Sequence, residues 1–152
     1  MKIHKMKLDS RPFDLLINGK KDVELRLYDF KRQCLSVGDR IIFSLKDDEE
    51  EQFAVEIKAL YIYATFEDLF SEIPLVRCGF EESATIQEAV SIMRTYYKKE
   101  KEIEKGVIGI SMKPVDTNYT QMKYKELREA EQAWLEKDIA LTLERLFPDG
   151  MK

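Results

Sequence analysis

Between Gly19 and Phe43 the chain sets charge against apolar residues in alternation. Val23, Leu25 and Leu27 are interleaved with Asp22, Glu24, Arg26 and Tyr28. Residues two apart share one face of a β-strand, so the spacing predicts a half-buried strand over 22–28. This limits what the chain can fold into. The Val and Leu face must be covered by a second layer, and the opposite face must carry both signs of charge. Lys21, Asp29, Lys31 and Arg32 crowd the same stretch. A face of this kind can line a cleft for a polar ligand or stand as a solvated edge, and the alternation leaves both open.

The remaining pattern supplies the partners of that strand. Ile3 to Leu8 alternates and then breaks at Asp9-Ser10-Arg11-Pro12, which predicts a first strand and a helix capped by Ser10 and stopped at Asn18-Gly19. Arg40 to Leu45 and Phe53 to Tyr63 read as strands, joined by a charged, solvent-facing tip from Lys46 to Gln52. Thr65 and Asp68 have the spacing of a helix cap. Ile86, Ala89, Val90, Met93 and Tyr97 recur at helical spacing, and Lys98 to Lys105 reads as a charged continuation. Gly106 to Met112 is the last strand. From Tyr119 to Phe147 there is neither Gly nor Pro, which predicts one or two helices. Leu127, Ala130, Trp134 and Leu141 mark one apolar face there, and Leu135, Ile139, Leu143 and Leu146 a second. Strands outnumber crossover helices, so the expected class is α+β, a small mixed β-barrel or curled sheet with two or three helices, rather than a doubly wound α/β fold. The expected boundaries are a domain at 1–115 and a C-terminal helical extension at 116–152.

Charge is distributed unevenly. The chain has a formal net charge of −4. Residues 1–43 hold ten Lys or Arg against six Asp or Glu, and the remaining residues hold fifteen against twenty-three. The positive lobe coincides with the motif-rich segment, which suits a localised anion site more than a coat for duplex nucleic acid. His4 is the only histidine, and Cys34 and Cys78 stand alone. No His-based triad, metal cluster or disulfide scaffold is expected, nor any cofactor. The G-x-x-x-x-G-K-[ST], G-x-G-x-x-G and H-E-x-x-H patterns do not occur. No apolar run reaches the roughly 18 residues of a membrane span, and the first residues, M-K-I-H-K-M-K-L, do not have the long apolar stretch expected of a secretory signal. The expected location is cytoplasmic.

The run G-K-K-x-x-E-x-R-L-x-D-x-K-R from Gly19, followed by S-V-G-D-x-I-x-F from Ser36, resembles the hallmark of the ASCH (activating signal cointegrator homology) domain family. Tyr96-Tyr97 and E-K-G-V-I-G-I are similar to its closing helix and strand. The resemblance covers about residues 3–115 and implies a PUA-like barrel with a cleft for RNA or a nucleotide-like ligand. Some ASCH proteins act as amidohydrolases on N4-acylated cytidine and others as ribonucleases. The amidohydrolase branch implies a catalytic lysine, threonine and glutamate. The lysine falls on Lys21, the threonine position on Glu24, and the glutamate on Glu82. Glu24 is not a nucleophilic alcohol.

The chemistry available matches either reading. Lys21 and Arg26 can hold a phosphate or a base carbonyl, the one as a point charge and the other as a planar fork. Glu24 can orient Arg26, accept from an exocyclic amine, or act as a general base. Lys31 and Arg32 suit backbone phosphates. Tyr28 and Tyr96 can stack on a base, while Tyr97 continues the buried helical stripe. The expected partner is RNA or a nucleotide-like ligand, with a homodimer through the C-terminal helix as a further possibility. The alternative is a small hydrolase using Lys21, Glu24 and Glu82.

Overall fold

A computed structural model describes residues 1–149 of the chain. The elements run β1 (Ile3–Leu8), α1 (Ser10–Ile17), β2 (Val23–Leu27), α2 (Phe30–Gln33), β3 (Arg40–Leu45), β4 (Asp48–Tyr63), α3 (Phe66–Glu72), a 3-10 turn (Leu75–Cys78), α4 (Ile86–Tyr96), α5 (Lys99–Lys105), β5 (Val107–Pro114) and α6 (Thr117–Leu146). They fall into two compact units, Met1–Thr117 and a second from Asn118 onward.

The first unit is mixed α+β around one five-stranded sheet of order β1-β3-β4-β5-β2. β1 runs parallel to β3, and the other neighbours are antiparallel. β4 pairs with β3 through its first half and with β5 through its second, and register shifts between Ile57 and Ala59 with Lys58 as the extra residue. A bulge of this kind bends a strand and sharpens its twist, so the sheet curls into a half-barrel. Its two edge strands, β1 and β2, then face each other across an opening. Backbone pairing does not close that opening; side chains do. Arg26 Nη2 donates to the Lys7 carbonyl at 2.7 Å, and Lys31 Nζ to the Lys5 carbonyl at 2.9 Å.

Alternation in the strands yields two cores. Met6, Phe43, Val55, Ile57, Ile108 and Ile110 fill the hollow of the half-barrel. Val23, Leu25, Phe66, Leu69, Ala89 and Met93 form a second core between the sheet and the helices on its outside. β2 lies between them and is therefore buried on both faces. Val23, Glu24 and Leu25 are all buried, where the alternation predicted a half-buried strand. Gly109 on β5 faces Leu25 in register, and a Cβ there would lie 3.1 Å from Val23 Cγ1 and 3.3 Å from Leu69 Cδ1. A side chain there would have to push Val23 and Leu69 back by a few tenths of an ångström.

Several local expectations change. Asp9, not Ser10, occupies the cap position of α1, and it makes no side-chain cap bond. The connection expected after β2 contains the short helix Phe30–Gln33, which Asp29 caps by accepting from the Arg32 N–H. β4 already begins at Asp48, so most of the acidic tip is strand. Tyr97 and Lys98 take extended conformations, and the charged continuation becomes the separate helix α5. Thr65 and Thr85 do cap α3 and α4, accepting from the Asp68 and Glu88 N–H groups.

In the second unit, α6 is one continuous helix rather than two, 30 residues long, or about 45 Å at the usual rise. Its large apolar side chains, Trp134, Leu135, Ile139 and Leu141 among them, are exposed. Among the described residues no helix is long and apolar enough to cross a membrane, and no cluster of His, Cys, Asp and Glu could hold a metal ion.

Candidate ligand cleft between the edge strands

The turn after α1 places Lys21. The Lys20 and Lys21 N–H groups both donate to the Leu15 carbonyl, at 2.9 and 3.1 Å, which wraps the chain round the helix end. The Asp22 N–H then ties to the Arg77 carbonyl at 3.0 Å. The Lys21 stem lies against Gly79, whose positive φ of 93° ends the 3-10 turn. A Cβ on Gly79 would come within 3.2 Å of Lys21 Cδ and 3.3 Å of Leu15 Cδ1. Glycine serves here both for the turn and for the room the lysine needs.

Lys21, Glu24 and Arg26 form one row, the first two buried and Arg26 half-buried. Lys21 Nζ lies 2.8 Å from Glu24 Oε1, which also accepts from the Leu25 N–H at 3.2 Å. Glu24 Oε2 takes Arg26 Nε at 3.0 Å and Nη2 at 2.9 Å. Glu24 is 3% exposed and Lys21 8%. Burial alone would raise the Glu24 carboxyl, but Lys21 and Arg26 beside it win, and the group is held below its ordinary value of 4.5. Burial likewise works against the Arg26 charge, and Glu24 outweighs it, so the guanidinium keeps its proton more tightly than usual. Glu24 has spent both oxygens. Among the described residues Lys21 Nζ has only Glu24 as a partner, and Arg26 Nη1 has none.

This row floors a pocket of about 250 Å³. One wall is the end of β1 and the start of α1, with Lys7, Asp9 and Arg11; the other is Phe80 with Tyr96 and Tyr97 of the α4 end. Tyr96 is 58% exposed and lines the pocket. Tyr97 stacks on Phe66, centroids 6.0 Å apart, while lining the same pocket. Burial raises its phenol, with Arg26 opposing. Burial also pushes the Cys78 thiol at the pocket wall up to about 12, so it stays protonated and is a poor nucleophile.

The residues singled out by sequence are distributed as follows. Lys21, Glu24, Arg26 and Tyr96 line the pocket. Lys31 and Arg32 line a neighbouring groove that shares Lys7, Arg26 and Lys46 with it. Tyr28 packs against the inner core and lines neither. Glu82 is exposed on a turn and lines neither. Sequence reading misses Lys7, Arg11, Lys46 and Phe80. The charge pattern assigns Lys46 to a solvent-facing tip, but its N–H bonds to the Leu8 carbonyl at 2.9 Å, where β3 runs out beside β1. No short-range signal announces that parallel pairing.

The ASCH domain profile matches residues 6–116. Among solved structures, hypothetical protein PH0355 is 30% identical, with a TM-score of 0.65 over 76% of this chain and 100% of its own. Protein PF0455 from Pyrococcus furiosus is 28% identical, with a TM-score of 0.59 over 75% of this chain and 98% of its own. A mutant ASCH protein from Zymomonas mobilis shares the fold at 16% identity and a TM-score of 0.50, covering 75% and 73% of the two chains. No functionally curated protein matches the chain. With the hallmark residues on the pocket floor and the profile spanning the whole first unit but its ends, the chain belongs to the ASCH domain family.

Proposed function

We propose that this chain binds RNA, or a nucleotide unit of it, in the pocket between β1 and β2, and that it does so without turnover. One observation carries the reading. A row of three charges, two of them buried and the third half-buried, floors an open pocket and still has donors to spare at Lys21 Nζ and Arg26 Nη1. A buried ion pair contributes little to stability against an apolar replacement, so three such groups beside a hollow point to a ligand. The donors suit base carbonyls or phosphate oxygens, and Tyr96 suits a stacked base.

Glu24 supports the absence of turnover. A general base works best with a pKa near the operating pH, whereas Lys21 and Arg26 hold this carboxyl low and occupy both oxygens. Glu82 lies away from the pocket lining. Fluorescence anisotropy with short single-stranded RNA at low ionic strength tests the binding. Affinity should fall steeply with salt and be lost in Lys21→Ala and Arg26→Ala. No detectable affinity, or affinity unchanged in both variants, would falsify the proposal. A product from N4-acetylcytidine or RNA that vanishes in Glu24→Gln would replace binding with hydrolysis.

The same reading takes residues 1–115 as the binding unit in a cytoplasmic setting, consistent with two unpaired thiols. It takes α6 as a self-association element. Residues 118–128 carry Lys123, Lys125 and Arg128 against Glu126, whereas 129–146 carry Glu129, Glu131, Glu136, Asp138 and Glu144 against Lys137 and Arg145. Two antiparallel copies would match basic half to acidic half and cover Trp134 and Leu141. Sedimentation equilibrium should give a dimer that Trp134→Glu with Leu141→Glu converts to monomer; a monomeric parent chain sinks this part.

A further inference from the structure

The groove beside the pocket lies over the outer face of β1, β3 and β4, where Lys7, Ser44 and Gln52 stand opposite one another in register. Its volume is about 540 Å³. Among the described residues six cations line it (Lys5, Lys7, Arg26, Lys31, Arg32 and Lys46) with the acid Glu49. Glu49, Glu24, Asp29 and Asp9 pair with Lys7, Arg26, Arg32 and Lys46, which still leaves cations ahead of acids on a chain whose net charge is −4. The excess is local and runs against the protein's overall sign.

These cations are held rather than loose. Lys31 and Arg26 donate to the carbonyls of Lys5 and Lys7, positions about 6.6 Å apart along an extended strand. Asp29 fixes Arg32 through its Nη1 at 3.1 Å, while Arg32 Nε is buried with no hydrogen-bond partner. Burial and then the charges of Arg32 and Arg26 lower the proton affinity of Lys31. Like charges tethered this closely repel one another, and an anion set among them relieves that repulsion. Lys7, Arg26 and Lys46 belong to pocket and groove alike, so one molecule can span both.

We infer that the groove is a phosphate subsite continuous with the pocket, so that the ligand is a phosphorylated nucleotide or a strand, not a bare nucleoside. The pocket takes the base between the Lys21–Glu24–Arg26 floor and Tyr96, and the groove takes the phosphate ester on Lys5, Lys31 and Arg32. This rests on the reading of the pocket as a nucleotide site, and comparing nucleosides with their monophosphates separates the two.

Isothermal titration of the full chain at low salt with the four ribonucleosides, their 3′- and 5′-monophosphates, inorganic pyrophosphate and a mixed-sequence pentaribonucleotide tests it. At least one monophosphate should bind about tenfold tighter than its nucleoside, the scale of a charged hydrogen bond. A nucleoside too weak to measure beside a measurable monophosphate meets the same criterion. Lys5→Ala with Lys31→Ala, both exposed positions, should erase that advantage and leave nucleoside binding unchanged. The pair should also flatten the salt dependence for the pentanucleotide, by about 0.7 in slope for each phosphate that is no longer neutralised. Nucleoside and monophosphate of equal affinity, an advantage that survives the double variant, or pyrophosphate binding as tightly as the nucleotides would overturn the subsite while leaving the pocket standing. Silence from every probe would overturn both.

Discussion

Glu24 and Glu102 are two buried carboxylates in the same unit, each against an arginine, and they are built for different ends. Glu102 is 1% exposed. It accepts from the Phe66 N–H at 2.8 Å and pairs with Arg94 Nη1. It lines neither cavity. Its work is to satisfy a donor at the start of α3 and to fasten α5 to α3 and α4. Glu24 satisfies one neighbouring N–H and otherwise holds two cations that face a hollow. Burial of a carboxylate is therefore no guide to its role; what surrounds its partners is. A partner that faces no cavity, as Arg94 does, speaks for structure, and partners with donors left over beside a cavity support the site proposed above.

The largest effect expected from this contrast is structural. Glu102→Ala orphans the Phe66 N–H and leaves Arg94 without its carboxylate, at a cost of about 3–4 kcal/mol. Urea unfolding measures it, and RNA affinity of the folded fraction should not change. A loss under about 1 kcal/mol, or an altered affinity, would put Glu102 on the same footing as Glu24. Glu24→Gln should cost less, about 2 kcal/mol, because Lys21 and Arg26 then face a pocket that water can enter. It should also tighten binding of the pentaribonucleotide, since a negative charge leaves the floor. Weakened binding would show instead that the carboxylate itself contacts the ligand.

How far each glutamate can be read in the sequence differs for the same reasons. Glu24 is legible, because period-two alternation with Val23, Leu25 and Leu27 fixes its face and the hallmark spacing groups it with Lys21 and Arg26. What alternation cannot tell is that this face turns into a half-barrel, since that depends on the bulge at Lys58 and the curl it imposes on β4. Glu102 is not legible. It sits in K-K-E-K-E-I-E-K, where every neighbour but Ile103 argues for solvent, and it is drawn inside by the start of a helix 36 positions away, where the Phe66 N–H needs an acceptor. The capping threonines, by contrast, carry their partners within three residues. Lys7 and Lys46 meet through parallel pairing of β1 with β3, a long-range contact without a local signature, and so the second groove is legible only as the basic pair Lys31-Arg32.

A smaller effect separates two adjacent tyrosines. Tyr96 is exposed at the pocket, whereas Tyr97 stacks on Phe66 in the second core. Tyr96→Ala should weaken RNA binding by about 1–3 kcal/mol, the scale of a base stack, with stability within about 0.5 kcal/mol of the parent chain. The reverse outcome, lost stability with intact binding, would assign Tyr96 to the fold.

The smallest expected signal is in the acid limb of stability. Glu24 and Asp39 both have lowered values in the folded chain. For Asp39 burial opposes the shift, and the His4 hydrogen bond with the Lys2 and Ser36 N–H groups prevails. A carboxyl depressed by folding binds its proton more readily when unfolded, so its stabilisation is present above the ordinary value and is lost as pH falls through the folded one. These two groups therefore add no slope near neutrality. Their contribution should drain away below about 4.5 for Glu24 and about 3.8 for Asp39. Urea midpoints measured from neutral pH downward should show a shallower acid limb in Glu24→Gln than in the parent chain. An identical limb would mean that Lys21 and Arg26 hold Glu24 no better than water does, and the row would then lose its claim to be a preformed floor.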